Sequence, residues 1–200
     1  MSTRLVRANA GGVTLIELIM FIVIVGVALA GLFAAFNTIT AASADPAVRK
    51  QVLAIAESLM EEVQLMPFTY CDPDDPNAAA ATGAGDCTGG AGGPNDESRL
   101  PLGPETALSV GGAEGRYASP QFDNVSDYNG FAMLAGVRDI TNTLVAGLDA
   151  YSVTITVRPT GLGGIAAADA LVIRITVTGP GGVSTTLDGY RTRYAPKALP

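Results

Sequence analysis

The sequence predicts an α+β protein in which a long N-terminal helix, apolar in its first half and amphipathic in its second, packs on a C-terminal antiparallel β-sheet. Three patterns predict it. Residues 18–36 form a run without a charged side chain; Val48, Val52, Ile55, Leu59, Val63 and Met66 recur at steps of four and three; and residues 151–158 alternate apolar with polar. The first pattern marks a membrane span, the second a helix buried along one stripe, the third a half-buried strand. A sheet with one greasy face and a helix with one greasy stripe must cover each other.

The helix begins with the span. About twenty apolar residues, at roughly 1.5 Å each, cross the hydrocarbon core of a bilayer. Glu17 stands at the head of this run, where burying a lone charge costs on the order of 2.5–3.5 kcal/mol. A carboxylate so placed takes a counter-charge, takes up a proton, or snorkels to the interface. Residues 1–12 carry Arg4 and Arg7 and no acid, a cytoplasmic flank under the positive-inside rule. Secretory signals are cut after their apolar region, whereas the small pair Gly11-Gly12 precedes this one. Cutting after Gly12 frees an α-amine on Val13, one helical turn from Glu17. Amine and carboxylate are both charged at neutral pH and attract strongly in low dielectric. This divides the start of the chain into a leader, 1–12, and a hydrophobic helix, 13–44.

Asp45-Pro46 predicts a kink or a fresh start, since proline holds its predecessor extended and Asp and Pro are favoured where helices begin. An amphipathic helix over 45–67 follows, with Arg49, Lys50, Glu57, Glu61 and Glu62 off the stripe and Pro67 ending it. Residues 68–115 read as a loop rich in Gly, Ala, Pro and Asp. It is expected to be partly disordered, because Gly89-Gly90-Ala91-Gly92-Gly93-Pro94 buries too little apolar area to order itself by packing. Cys71 and Cys87 lie across the span from the basic leader, where an oxidising compartment favours a bridge between them. Asp72, Asp74, Asp75 and Asp86 are weak candidate ligands for a calcium ion. The glycine and terminal glutamate of an EF-hand loop are missing, so solvated turn residues are the default reading.

The last segment, 116–200, is the sheet region. Across 121–130, turn-forming residues alternate with aromatics, and Phe122, Tyr128 and Phe131 are expected to pin the loop to the core. Asp123 and Asp127 are read there as turn residues ahead of cation ligands. Short strands are expected at 132–137 and 143–148, and longer ones at 151–158, 171–178 and 183–194. Gly179-Pro180-Gly181-Gly182 turns the chain, and Asp188-Gly189 is a candidate bulge.

Composition narrows the function. Net charge is −7, and removing the leader leaves ten basic against nineteen acidic residues, or −9, which repels nucleic acid. There is no histidine, so His-based triads and zinc-histidine sites are absent. No catalytic residue or cofactor is assigned, and an enzyme is the least favoured class. A structural subunit, a binding module and a single-span protein that does not polymerise are the other readings.

With its short basic leader and following apolar run, Gly12-Val13-Thr14-Leu15-Ile16-Glu17 resembles the processing site of type IV prepilins and pseudopilins. The resemblance implies a type IV pilin-like fold, cleavage between Gly12 and Val13 by a prepilin peptidase, and methylation of the Val13 amine. It also implies that Glu17 meets the N-terminal amine of a neighbouring subunit during assembly. Residues 44–51, 61–75, 122–125 and 187–194 are similar to MshD-type minor prepilins of mannose-sensitive haemagglutinin (MSHA) pilus systems. That likeness implies a minor filament subunit of a Gram-negative bacterium. Such a subunit is inserted once in the inner membrane, N-terminus cytoplasmic and C-terminal domain periplasmic, before reaching the cell surface. Its implied partners are the peptidase, other pilin subunits, the inner-membrane assembly machinery and the lipid bilayer. The alternatives are a minor pseudopilin of type II secretion, or a tip adhesin that binds through the Cys71–Cys87 loop.

Overall fold

Thr14 caps the first element of the computed structural model, which describes residues 12–197 and, within them, no side chain over 38–45. Its hydroxyl accepts the Glu17 N–H at 3.4 Å, satisfying one of the donors that a helix start leaves open, and its carbonyl accepts the first intrahelical bond, from the Leu18 N–H at 3.1 Å. Helix α1 then runs Leu15–Leu65 with Pro46 inside it. The fresh start expected at Asp45-Pro46 is not seen. Proline removes one intrahelical donor and crowds the carbonyl four residues earlier, and Ala41, Ala42, Ala44 and Ala47 around it, with the strongest helix propensity of any residue, favour carrying the helix through it.

The chain divides at Pro46 into two units. In the first, Leu15–Asn37 is 23 residues long and apolar enough to cross a membrane. That length corresponds to about 34 Å, against about 30 Å of hydrocarbon core. Its side chains are exposed in the isolated chain.

The second unit joins the C-terminal half of α1 to a four-stranded antiparallel sheet. Its strands, β1 (Ala132–Met133), β2 (Ser152–Pro159), β3 (Ala170–Thr178) and β4 (Ser184–Thr192), lie side by side in chain order. One face is apolar because the alternation is in register: Val153, Ile155 and Val157 of β2 stand opposite Val177, Ile175 and Ile173 of β3. All six are buried with Val52, Ile55, Ala56, Leu59, Met60 and Val63 of α1. The predicted stripe is therefore the core face, with Val48 and Met66 partly buried against it.

Four local expectations need correction. The strand expected at 132–137 is two residues long, and 143–148 contributes only an isolated bridge between Arg138 and Leu144. No bulge occurs at Asp188-Gly189, since Arg174 pairs with Asp188 and Ile173 with Gly189 in unbroken register. Gly189 serves packing instead: a Cβ there would lie 2.5 Å from Met60 Sδ and 2.8 Å from Gln64 Nε2 of α1. Glu62, expected off the buried face, is half-buried and pairs with the buried Arg116.

Gly179 is a more rigid case of the same kind. A Cβ there would come within 2.8 Å of Tyr151 Cε1 and 3.0 Å of the Val48 and Val52 Cγ1 atoms, which are ring and branched side chains with little freedom to yield. Gly179→Ala is expected to lower stability by about 1–3 kcal/mol through overpacking. Urea unfolding checks this, and an unchanged midpoint would mean that helix and turn can part at no cost.

Candidate functional site

The N-terminal motif residues lie where the sequence places them. Gly12 and Val13 precede α1, and Glu17 lies in its first turn; all three are exposed. The leader ahead of Gly12 lies outside the described residues.

The loop expected to be partly disordered is instead held by its own polar groups. Cys71 and Cys87 form a disulfide, with Cα atoms 5.3 Å apart, that is buried with Ala78 and Ala81. Asp72 Oδ1 accepts the Asp74 N–H at 2.7 Å. Asp75 accepts the Asn77 N–H at 2.9 Å and the Thr88 N–H and hydroxyl at 2.7 and 3.0 Å. Asp96 accepts the Gly92 N–H at 2.7 Å. Carboxylates capping turns supply the order that apolar packing cannot.

This scaffold gathers carboxylates from distant parts of the chain. Cys71 bridges to Asp96, with Asp72 N–H on the Asn95 carbonyl and Glu97 N–H on the Tyr70 carbonyl, both at 3.1 Å. Glu114 N–H reaches the Glu105 carbonyl at 3.3 Å. Asn124 Nδ2 donates to Thr69 Oγ1 at 2.6 Å, and Thr69 Oγ1 in turn donates to the Cys71 carbonyl at 2.6 Å. The turn that follows, Val125–Tyr128, is wholly buried. Behind it Phe122 meets Tyr128 and Phe131 edge to face, at 5.0 and 6.0 Å, the pinning read from the sequence.

Two groups of acids result. Asp72, Asp74, Glu114 and Asp123 place one oxygen each within 4.8 Å of one another, and Glu97, Glu105 and Asp127 do the same. The groups adjoin, since Asp127 Oδ2 accepts the Asp123 and Asn124 N–H groups at 3.1 and 2.7 Å. Ser126 Oγ donates to Glu97 Oε2.

Burial and the repulsion of neighbouring acids push Asp72, Glu97, Glu114, Asp123 and Asp127 upward, as crowded acids in low dielectric require. Burial acts first on Asp72 and Asp123 and neighbouring acids add to it, while the Asp74 N–H opposes the rise at Asp72, and both reach about 7. Glu114 rises to about 10 by burial, then by Asp127, Asp123 and Glu105. Glu97 and Asp127 are held well above the usual carboxylate range by burial, with Glu105 adding to both.

Of the acids singled out in the sequence, Asp72, Asp74, Asp123 and Asp127 belong to this cluster, the last two against their reading as turn residues alone. Asp75 and Asp86 do not. Asp75 spends its oxygens on Asn77 and Thr88, and the exposed Asp86 is held below the usual range by its bonds from the Thr82 N–H and hydroxyl.

Comparison with known proteins finds no matching family model, no matching curated protein and no matching solved structure. The α+β architecture, the candidate span and the disulfide therefore stand on this chain's own geometry. Glu97, Glu105 and Glu114 carry no local signal in the sequence. Only a tertiary fold brings them to Asp72, Asp123 and Asp127.

Proposed function

We propose that this chain is a minor subunit of a type IV pilus or related filament. It would be inserted in the inner membrane as a prepilin, cut between Gly12 and Val13, and assembled through its N-terminal helix. One observation carries the reading. A single helix, α1, joins an apolar stretch long enough to span a bilayer, headed by Glu17, to an amphipathic stretch that covers an antiparallel sheet.

The physical logic is that of a transferable rod. While the apolar stretch sits in lipid, Glu17 is costly. Proteolysis at Gly12 creates the amine that offsets it, and in a filament the amine of one subunit meets the carboxylate of the next. The apolar side chains then pack against copies of themselves in place of lipid. Residues 47–197 form the periplasmic and later surface-exposed part, where an oxidising milieu maintains the Cys71–Cys87 bridge.

N-terminal sequencing of membrane-extracted protein tests the first step: Val13 is expected at position one, and an intact leader overturns the reading. Replacing Gly12 with leucine is expected to leave unprocessed precursor in the membrane. Glu17→Gln is expected to be cut normally but to be depleted from sheared filaments, and wild-type incorporation of that variant would exclude the amine-carboxylate contact.

A further inference from the structure

We propose that the seven clustered carboxylates form two adjacent binding sites for divalent cations, suited to Ca2+. Asp72, Asp74, Glu114 and Asp123 make one, and Glu97, Glu105 and Asp127 the other. This inference does not depend on the filament reading.

Acidic residues often gather without binding anything, so the deciding observation is which of their atoms lack partners. Six of the seven each keep one buried oxygen that no donor reaches among the described residues. These are Asp72 Oδ2, Glu114 Oε2 and Asp123 Oδ1 in the first group, and Glu97 Oε1, Glu105 Oε2 and Asp127 Oδ1 in the second. Asp72 and Asp127 have no exposed surface, and Glu97 and Glu105 are only 3% and 8% exposed. A buried acceptor left unmade costs about 1–3 kcal/mol, and more if charged, so six such atoms in two adjoining groups of acids are offset either by shared protons or by a counter-charge, and a divalent cation supplies the second. Burial and neighbouring acids are what raise Asp72, Glu97, Glu114, Asp123 and Asp127.

The other oxygen of several members is tied down, which aims the free one. Asp72 Oδ1 holds the Asp74 N–H, Asp127 Oδ2 holds two backbone N–H groups, and Glu97 Oε2 holds Ser126. This is the outer support expected of ligands that bind a metal. A cleft of about 280 Å³, lined in part by Glu97, Glu105 and the exposed Arg99, offers a way in.

Donor chemistry selects the ion. All ligands are oxygens, the chain has no histidine, and both cysteines are in the disulfide, so zinc and softer metals find no preferred donor. Ca2+ accepts six to eight oxygens in flexible arrangements. Mg2+ demands a strict octahedron and keeps several waters, which a site of buried carboxylates accommodates poorly.

The test uses the full-length chain in detergent micelles, stripped with EDTA, dialysed against CaCl2 or MgCl2, and assayed for bound metal and for melting temperature. Two Ca2+ per chain are expected, with a melting temperature raised by about 10 °C or more at a hundredfold excess over Kd and a smaller rise with Mg2+. Glu105→Gln removes a carboxylate whose side chain holds no backbone group in place. It is expected to weaken Ca2+ binding about tenfold or more, while the calcium-free protein melts no lower than wild type. Asp123→Asn is expected to reduce the bound count to one. Wild-type protein that binds no Ca2+ overturns the proposal and makes the cluster a set of proton-sharing carboxyls. Full affinity in Glu105→Gln also overturns it, and a single Ca2+ unaffected by Asp123→Asn removes the site of Asp72, Asp74, Glu114 and Asp123.

Discussion

Glu62→Ala is expected to cost about 3 kcal/mol of folding stability, at the lower end of what breaking a buried ion pair costs. Arg116 is the reason. Its side chain is 4% exposed, and its guanidinium forms a fork with Glu62, Nε to Oε1 at 2.7 Å and Nη2 to Oε2 at 2.8 Å. Nη1 donates to the Tyr117 hydroxyl at 2.7 Å and to the Arg138 and Asp139 carbonyls at 3.2 and 3.3 Å. Tyr117 and Phe131 present their rings at 5.0 and 5.6 Å. Those neutral neighbours hold the guanidinium but do not neutralise it. Tyr128, which donates to Glu62 Oε1 at 2.9 Å, would lose its partner at the same time. The Glu62 side chain remains 23% exposed, so solvent screens part of the attraction, which is why the low end of the range applies. Urea unfolding of Glu62→Ala, Arg116→Leu and the pair Glu62→Leu/Arg116→Leu checks the account. The pair should recover most of the loss, because removing both charges leaves nothing buried and unpaired. A loss under about 1 kcal/mol in Glu62→Ala would show a pair screened as at a surface.

This ion pair also shows where sequence reasoning stops. The stripe from Val48 to Met66 was legible because one helical period fixed six core-facing positions, four buried and the two at its ends partly so, and β2 and β3 were legible because alternation fixed which side chains face the core. Both signals are local and repeat. Glu62 sits beside the exposed Glu61 on the same helix, and only the arrival of Arg116 from 54 residues away gives it a different environment. The carboxylate cluster is harder still to read. Asp72 and Asp74 are visible as a pair, yet Glu97, Glu105 and Glu114 sit among glycines and prolines in a stretch whose composition indicates disorder. Composition tests for apolar packing and misses order supplied by side chains bonded to their own turns, as with Asp75 and Thr88. Asp188-Gly189 was misread for a related reason: a glycine in a strand marks either a bulge or a close approach, and only the helix above it decides which.

Replacing Cys71 and Cys87 together with alanine is expected to destabilise the domain by about 3 kcal/mol, since the bridge spans 16 residues and shortens the unfolded chain's reach accordingly. The loss should appear first in the loop and its neighbours. Cys71 is fully buried, pairs with Asp96, takes the Thr69 hydroxyl on its carbonyl, and is followed directly by Asp72, so it anchors one wall of the carboxylate cluster. Hydrogen exchange on the double variant checks this: the Asp74, Asn77 and Thr88 amides, held by Asp72 and Asp75, should exchange faster than those of β2 and β3. Uniform loss of protection would mean that the loop and sheet unfold as one. Loss confined to the loop would separate two jobs within the second unit, with apolar packing stabilising the helix and sheet, and the covalent bridge and polar turns holding acids together against their own repulsion.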